Sequence, residues 1–248
     1  MVKNNNQYIR KARKKRRIKR IIVLSVLIVI IIGILVTYTD VFKIKNIKCV
    51  GENLVTGNFV VEKSEELKGE NLLFVNRKKF MDKLKDNPYV EEITFKKKYP
   101  NTLEISVKEK KGLFYYLESG QYNIFNDQMI YLEKTNSIEG RNLIEVKGVD
   151  LSNKKLGDNL WDSDRVGEIL KNTYKVQKFL DDNGESAKIT LLDISNLSKI
   201  KVCFGEIEVK LGNDENLVKK IKTAAVIYKQ NIAKKYIDVS FNGSPDIQ

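Results

Sequence analysis

Apolar and polar positions alternate with different periods in successive parts of the chain. Residues 21–39 are almost entirely apolar and contain no charged side chain. After them, several short runs place an apolar residue at every second position, which is typical of half-buried strands. Longer runs place one at every third or fourth position, which is typical of helices packed on a core. The pattern predicts one helix that is apolar on every face, followed by a folded part that mixes strands and helices.

A helix over residues 21–39 is long enough to cross a membrane. At about 1.5 Å per residue it spans roughly 28 Å, close to the thickness of the hydrocarbon core of a bilayer. The stretch is longer than the apolar region of a secretory signal peptide, and the triplet Thr37–Thr39 is a weak cleavage site. A buried core helix is the alternative, but such a helix is rarely apolar on every face and flanked by a basic tail. We therefore interpret residues 21–39 as an uncleaved membrane anchor.

The segment after the anchor predicts a small sheet with two helices. In the turn "YPNT", Pro100 fixes φ and Asn101 favours a bend, so the strands on either side form an antiparallel hairpin. The alternation of the first strand slips at Asn46, which predicts a bulge or a late start there. In chain order, the predicted elements are a strand within 41–51, a helix over 56–67, a helix capped by Asn76 and ended by Pro88, and strands over 90–98 and 102–108.

Beyond residue 111 the pattern predicts a larger domain that is rich in strands. A helix over 163–182 has an apolar face, and Asn183 with Gly184 suits its end. A second helix has Asn213 as its predicted N-cap. The predicted core face of the first helix is Val166, Ile169, Leu170, Val176 and Leu180, and that of the second is Leu217, Ile221, Ala224, Ala225, Tyr228 and Ile232. The predicted strands are 113–117, 121–125, 129–133, 188–195, 199–204, 206–212 and a last one over 236–241 before a polar tail.

The net charge of +13 is concentrated in the N-terminal tail. Residues 1–20 carry ten Lys or Arg side chains and no acidic one, whereas residues 40–248 carry 35 basic and 32 acidic side chains. A nucleic-acid-binding protein concentrates basic charge on its folded face, so this distribution argues against nucleic acid as a partner. By the positive-inside rule, the tail lies in the cytoplasm and residues 40–248 lie across the membrane. The basic run at 10–20 is then placed to contact anionic lipid of the inner leaflet.

The chain contains no set of residues typical of catalysis. Histidine is absent, which removes the commonest general base and metal ligand. The Ser-x-x-Lys spacing occurs at Ser152 and Ser198, without the S-D-N and K-T-G motifs that accompany a serine nucleophile. We interpret "WDSDR" at 161–165 as a helix N-cap and "DDNGE" at 181–185 as a helix-ending turn rather than a calcium loop. The sequence predicts that the protein is not an enzyme and needs no metal or cofactor.

The two cysteines, Cys49 and Cys203, are far apart in the sequence. Their spacing does not show whether they form a disulfide. We favour two thiols, and because Cys49 is in phase with Ile47 we expect it to be a small core residue.

The hairpin sequence resembles that of a known family. After "NPYVEEITF" the chain reads "KKKYPNTLEISVKE", which is similar to the POTRA domain of the bacterial cell-division proteins FtsQ and DivIB. The opening "FKIKNIKCVG" resembles the first POTRA strand, and "YIDVSF" resembles a strand of the family's β domain. One Asp-x-x-Gly turn of the family is incomplete, since Asp127 is present without the glycine. The matching residues of the hairpin are Lys98, Tyr99, Pro100, Thr102, Leu103, Ile105, Val107, Glu109 and Lys110.

The resemblance implies an α+β fold in four consecutive parts. The strand, helix, helix, strand, turn, strand order agrees with a POTRA domain that has a three-stranded sheet and two helices. A larger mixed β domain with two helices follows it. The expected parts are a basic cytoplasmic tail over 1–20, a transmembrane helix over 21–39, the POTRA domain over 40–110 and the β domain over 111–248.

The resemblance also implies a function and partners. Proteins of this family are single-span components of the division machinery that recruit or stabilise FtsB/DivIC-like and FtsL-like membrane proteins. We therefore expect a divisome scaffold in the cell membrane at the septum. Two alternatives stay open: a POTRA-bearing envelope protein that docks clients for transport or assembly, and a cell-wall-acting enzyme. The first normally has repeated POTRA units or a barrel-like strand series, and the second needs an acid–base pair.

The last predicted strand is the expected partner-binding segment. Its similarity to the family's partner-binding strand implies contacts through Tyr236, Ile237, Asp238, Val239 and Phe241. A strand at a sheet edge has unpaired N–H and C=O groups that accept an incoming strand. Alternation places Ile237, Val239 and Phe241 on one face, so the alternative is that these three face the domain's own core. Tyr236 and Asp238 point the other way and are better surface candidates.

Overall fold

A single long helix opens the described part of the chain. The computed structural model describes residues 3–51, 55–150, 153–161, 163–241 and 243–248. Helix α1 (Lys3–Tyr38) runs through both the basic tail and the apolar stretch, so it begins earlier than the predicted membrane helix. The reason is that Lys and Arg are good helix formers and no Pro or Gly interrupts the tail. Its part Arg13–Tyr38 is long and apolar enough to span a membrane, and its most apolar window is not buried.

Hydroxyl groups in the apolar part of α1 find acceptors within the helix itself. Ser25 Oγ donates to the carbonyl of Ile22 at 2.8 Å, and Thr37 Oγ1 donates to the carbonyl of Gly33 at 2.9 Å. Because lipid offers no hydrogen-bond partners, these internal bonds make both hydroxyls compatible with a membrane span.

Contacts divide the chain into two compact units, each with its own sheet. One unit comprises the chain up to Leu84 together with Glu92–Val107, and the other comprises Lys85–Glu91 together with Lys108–Gln248. The short segment Lys85–Glu91 therefore groups with the second unit, although it precedes the hairpin in the chain.

A three-stranded sheet with two helices follows α1. Its elements are β1 (Asn46–Val50), α2 (Gly57–Ser64), α3 (Arg77–Leu84), β2 (Val90–Lys98) and β3 (Thr102–Glu109). The strand order is β1-β3-β2, and β1 is parallel to β3 with Asn46 opposite Thr102. Strand β1 begins at Asn46, as predicted for a late start, because residues 40–42 form a turn of 3-10 helix. The element order is the predicted one, and it fits a POTRA domain.

The two short helices cover this sheet with apolar side chains. Asn76 Oδ1 accepts the N–H of Lys79 at 3.3 Å, so the predicted cap of α3 is confirmed. Phe80 of α3 meets Phe95 of β2 edge to face, with ring centroids 5.8 Å apart. Cys49 is half-buried rather than in the core as predicted, because β1 is an edge strand. The buried apolar residues around this sheet include Ile44, Val60, Leu67, Leu72, Phe80, Leu84, Ile93, Leu103, Ile105 and Val107.

The second unit is built on a nine-stranded mixed sheet. Its strands are β4 (Phe114–Glu118), β5 (Gln121–Phe125), β6 (Tyr131–Thr135), β7 (Ile144–Lys147), β8 (Ile189–Asp193), β9 (Ile200–Phe204), β10 (Ile207–Gly212), β11 (Tyr236–Asp238) and β12 (Asp246–Ile247). Their order is β12-β11-β10-β9-β8-β7-β4-β5-β6. Strand β7 is absent from the predicted elements, yet it joins the two halves of the sheet by pairing in parallel with both β4 and β8.

Two helices of the second unit pack on each other, and the second also packs on the sheet. They are α4 (Asp164–Asp182) and α5 (Leu217–Lys229), and α5 contacts β9, β10 and β11. Helix α4 ends as predicted, since Asn183 is its C-cap and Gly184 has a φ of 63°. The predicted core face of α4 is buried: Val166, Ile169, Leu170, Val176 and Leu180.

The predicted start of α5 is wrong by one turn. Asn216, not Asn213, occupies the N-cap position. The reason is that Asp214 pairs with Arg165 through two hydrogen bonds, of 3.1 and 2.7 Å, which hold Asp214 in the turn before the helix. The predicted apolar stripe also ends early. Ile232 lies beyond the helix and is exposed, whereas Ile227 is buried instead.

Candidate partner-binding surface

The C-terminal strand is shorter than predicted, and it does not lie at the sheet edge. Strand β11 stops at Asp238, because Asp238 Oδ1 accepts the N–H of Ser240 at 2.9 Å and the chain turns there. The polar tail after it returns as β12 and pairs antiparallel with β11. The expected open edge of β11 is therefore corrected: β12 is the last strand of the sheet.

The end of the chain holds β11 through several backbone hydrogen bonds. The carbonyl of Gln248 accepts the N–H groups of Lys234, Lys235 and Tyr236 at 3.0, 2.6 and 3.1 Å. In return, the N–H of Gln248 donates to the carbonyl of Tyr236 at 3.1 Å. On its other side β11 pairs in parallel with β10, with Val209 opposite Ile237. The backbone of β11 is thus paired on both sides.

The inner face of β11 belongs to the core of the second unit. Ile237 is fully buried and Val239 nearly so, and both pack in the same cluster as Val209. For these two residues the alternative, that they face the domain's own core, agrees with the structure. Phe241 behaves differently, with 50% of it exposed, because the turn after Asp238 interrupts the alternation.

The outer face of β11 carries the other two candidate residues. Tyr236 and Asp238 are both half-buried. Lys210 Nζ lies 3.8 Å from the centroid of the Tyr236 ring, and Tyr236 Oη donates to Asp246 at 2.9 Å. The hydrogen bond to Asp246 raises the pKa of Tyr236 above its ordinary value. These contacts fix the ring between β10 and β12 and leave it facing outward.

The same face of the sheet stays polar further in. Lys201 of β9 lies across from Glu208 of β10, with an Nζ–Oε2 distance of 3.1 Å. Cys203 lies opposite Glu208, and burial, followed by the nearby Glu208 carboxylate, raises the pKa of its thiol. Both cysteines of the chain are thiols in the structure. Charged and hydrogen-bonding groups therefore extend from β9 to β12 beside the terminal strand.

The structure describes the candidate chemical motifs only in part. Lys201, which follows Ser198 at the Ser-x-x-Lys spacing, is held by Glu208 as an ion pair. Ser152 and Asp162, which belong to two of the motifs considered, lie outside the described residues. Among the described residues no group of three or more Cys, Asp or Glu side chains is placed to hold a metal ion.

Comparison with known proteins identifies the first domain and matches nearly the whole chain. Residues 42–110 match the model of the FtsQ-type POTRA domain. The cell division protein DivIB of Clostridium acetobutylicum is 36% identical over 247 residues, which cover 98% of both chains. DivIB of Clostridium botulinum (strain Loch Maree) is 33% identical over 221 residues, which cover 86% of both chains.

A more distant relative from another genus also matches most of the chain. The cell division protein FtsQ of a Geobacter species (strain M21) is 25% identical over 225 residues, which cover 84% of this chain and 76% of that protein. The near-complete coverage by DivIB proteins agrees with the α+β fold, the apolar N-terminal helix and the POTRA domain. The chain belongs to the FtsQ/DivIB family of bacterial cell division proteins.

Proposed function

We propose that this protein is a divisome scaffold that binds and stabilises FtsB/DivIC-like and FtsL-like single-span proteins at the septum. Family membership supports a role in division, and the apolar helix supports a single-pass anchor. One observation carries the choice of site. The outward-facing residues Tyr236 and Asp238 lie directly beside β12, which is the terminal strand of the sheet.

The proposed topology follows from the distribution of charge. The basic tail over 1–20 stays in the cytoplasm, where residues 10–20 contact anionic lipid, and residues 21–39 cross the cell membrane. The POTRA domain over 40–110 and the β domain over 111–248 lie outside the cytoplasm. In this arrangement the surface around β12 faces the extracytoplasmic parts of single-span partners.

The partner binds in the proposed mechanism by adding a strand to the sheet. Strand β12 presents the edge, so an incoming segment forms backbone hydrogen bonds there. Side chains of the partner contact Tyr236, Asp238 and the exposed Phe241. Ile237 and Val239 support the site from the core side of the sheet, because they hold the strand against the core. Backbone pairing then supplies affinity, and the outer side chains supply specificity.

Co-purification of the full-length chain with a DivIC-like partner tests this site. Tyr236→Lys or Asp238→Lys should abolish co-purification, because each introduces a cation into the contact. Val226→Lys is the matched control, since Val226 is exposed on α5 and belongs to neither strand of the proposed surface. Asp238→Asn separates charge from structure, because an amide oxygen still accepts the N–H of Ser240.

Thermal unfolding of each variant shows whether a loss of binding is a loss of folding. Melting temperatures close to that of the parent protein are expected for Val226→Lys and Asp238→Asn. Tyr236→Lys and Asp238→Lys should melt slightly lower but still cooperatively, because they lose the hydrogen bonds to Asp246 and from Ser240. If the partner is still captured by both lysine variants of β11, the binding site lies elsewhere. A fluorescent fusion in growing cells tests the broader proposal: a band at mid-cell supports a role at the septum, and a uniform membrane signal contradicts it.

A further inference from the structure

The loop before α3 is hydrogen-bonded to the membrane helix. The side-chain amide of Asn71 donates to the carbonyl of Val36, in the last part of α1, at 2.8 Å. The N–H of Leu72 donates to the carbonyl of Phe42 at 2.8 Å. The last carbonyls of a helix have no partner within it, so Asn71 satisfies one where water is scarce. The loop over 71–75 therefore lies beside the carboxyl end of the membrane span.

The β2–β3 turn lies at the same end. The carbonyl of Asn101 accepts the N–H groups of Lys45 and Asn46 at 2.9 and 3.3 Å, just where the chain leaves the membrane helix for β1. Lys97 Nζ, near the end of β2, donates to the carbonyl of Leu73 at 2.8 Å. Loop and turn are thus joined to each other, and both are joined to the segment that follows the span. We call this part of the first unit the membrane-proximal end.

Two aromatic side chains project from the membrane-proximal end. Phe74, in the loop, is 68% exposed, and Tyr99, in the turn, is 61% exposed. Tyr38, the last residue of α1, is 83% exposed. Aromatic side chains are enriched at the headgroup level of membranes, where a ring meets both apolar and polar surroundings. In water the exposed Phe74 ring contributes no favourable free energy of burial, whereas at a lipid headgroup layer part of its apolar surface is removed from water.

The same end carries an excess of positive charge. Residues 40–48, 70–79 and 96–101 together contain nine Lys or Arg side chains and two acidic ones. One of the two acids, Asp40, is paired with Lys43 at 2.7 Å. Burial, followed by repulsion from Arg77, lowers the pKa of Lys97, so the cations of loop and strand lie close enough to repel each other. An anion placed between them relieves that repulsion.

We propose that the membrane-proximal end is a lipid-binding surface. Phe74 and Tyr99 enter the headgroup region of the leaflet where α1 ends, and Arg77, Lys78 and Lys96 contact anionic phospholipid headgroups. A lipid is the occupant favoured over a protein because Asn71 of the loop is hydrogen-bonded to the membrane helix itself. The turn is hydrogen-bonded to Lys45 and Asn46, which follow the end of that helix by fewer than ten residues. The contact holds the first unit against the bilayer instead of leaving it free on a tether.

Tryptophan fluorescence of the full-length protein in lipid nanodiscs tests the aromatic part of the surface. Trp161 is the one tryptophan of the chain, so a Trp161→Phe background makes each new tryptophan a unique probe. Phe74→Trp and Tyr99→Trp report on the surface. Val50→Trp is the control, because exposed Val50 ends β1, about 13 Å along the strand from Asn46.

Brominated phospholipids quench only probes that reach the bilayer. Quenching at positions 74 and 99 should be about twofold stronger than at position 50, since interfacial aromatic rings lie at the headgroup boundary. Equal quenching at the three positions overturns the proposal. If Phe74→Trp unfolds at a lower temperature than the background protein, Tyr99→Trp carries the test by itself.

Lipid charge tests the basic part of the surface. Quenching at position 74 should be stronger in phosphatidylglycerol than in phosphatidylcholine, and Arg77→Gln with Lys78→Gln should remove that difference. Quenching that is the same in both lipids, and unchanged by the double substitution, overturns the role of the cations. Because no partner protein is present in the nanodisc, a strong signal also excludes a protein as the required occupant.

Discussion

Gln248 and Tyr236 exchange two backbone hydrogen bonds, each 3.1 Å long, so the segment that forms β12 is held against β11 at one edge of the sheet of the second unit. The pair connects the tail to the strand that carries the proposed partner contacts. The tail is therefore a structural element of the second unit, and its removal should affect β11 before it affects the rest of the sheet.

Truncation after Phe241 should expose the backbone of β11. The carbonyl of Gln248 and the Oη–Asp246 hydrogen bond of Tyr236 are lost together with half-buried Ile247. Three of the lost hydrogen bonds share the carbonyl of Gln248 and together count as about one. At about 1 kcal/mol for each net hydrogen bond, we expect the second unit to lose about 2–3 kcal/mol of stability. Hydrogen–deuterium exchange of the full-length protein in micelles should show faster exchange over 234–239 and unchanged exchange over 207–211. Unchanged exchange over both segments contradicts a structural role of the tail.

Two residues of the same predicted face should respond differently to truncation to alanine. Ile237 is fully buried, so Ile237→Ala should lower the free energy of unfolding by about 2–4 kcal/mol through lost burial and a cavity. Phe241 is half exposed, so Phe241→Ala should change it by about 0.5 kcal/mol or less. Urea unfolding followed by the fluorescence of Trp161, which packs against Phe125, measures both. Similar losses for the two variants contradict the placement of Phe241 outside the core.

This contrast shows where sequence patterns reach their limit. Alternation correctly places Tyr236 and Asp238 on one face and Ile237 on the other, because the period of a strand is local. It fails at Phe241, since the side chain of Asp238 captures the N–H of Ser240 and ends the strand. Such competition between a side chain and the sheet depends on geometry that the order of apolar residues does not contain.

Two strands of the second unit, β7 and β12, are not predicted, for a related reason. The hairpin strand β2 and the strand β5 have the predicted bounds, because turn residues flank both of them. Strands β7 and β12 contain only four and two residues. The partner β8 of β7 lies far away in the sequence, and the polar composition of the tail does not indicate that β12 pairs with β11. Their existence is decided by pairing within the assembled sheet, not by local propensity.

A glycine next to β7 offers a test of the close packing there. A Cβ on Gly148 would lie 2.5 Å from the backbone nitrogen of Ser195, and its φ is 89°. Gly120 is a matched control, since its φ is 78° and no atom lies within 4 Å of its Cβ position. Gly120→Ala should cost about 1–2 kcal/mol from the backbone alone. Gly148→Ala should cost clearly more in the same urea titration, because backbone atoms must move. Equal costs contradict the close approach of β7 to residues 194–195.

The ion pair between Arg165 and Asp214 should make stability depend on pH in a defined window. The hydrogen bonds from the Arg165 guanidinium lower the pKa of Asp214 below its ordinary value of 3.8. A carboxyl whose pKa is depressed by folding stabilises the protein above its unfolded pKa, and that contribution is lost as the pH falls through the folded pKa. The coupling should therefore be constant above about pH 5, decrease as the pH falls below about 4, and be lost only once the pH is below the depressed pKa of folded Asp214.

A double-mutant cycle isolates this coupling from all other titrating groups. Arg165→Gln, Asp214→Asn and the double variant are compared with the parent protein by urea unfolding, with Trp161 fluorescence as the readout. Because the pair is largely exposed, the coupling should be small at low salt and should shrink in 1 M NaCl. A coupling energy that stays the same from pH 7 to pH 3 would show that the contact between α4 and the turn before α5 does not depend on the charge of Asp214.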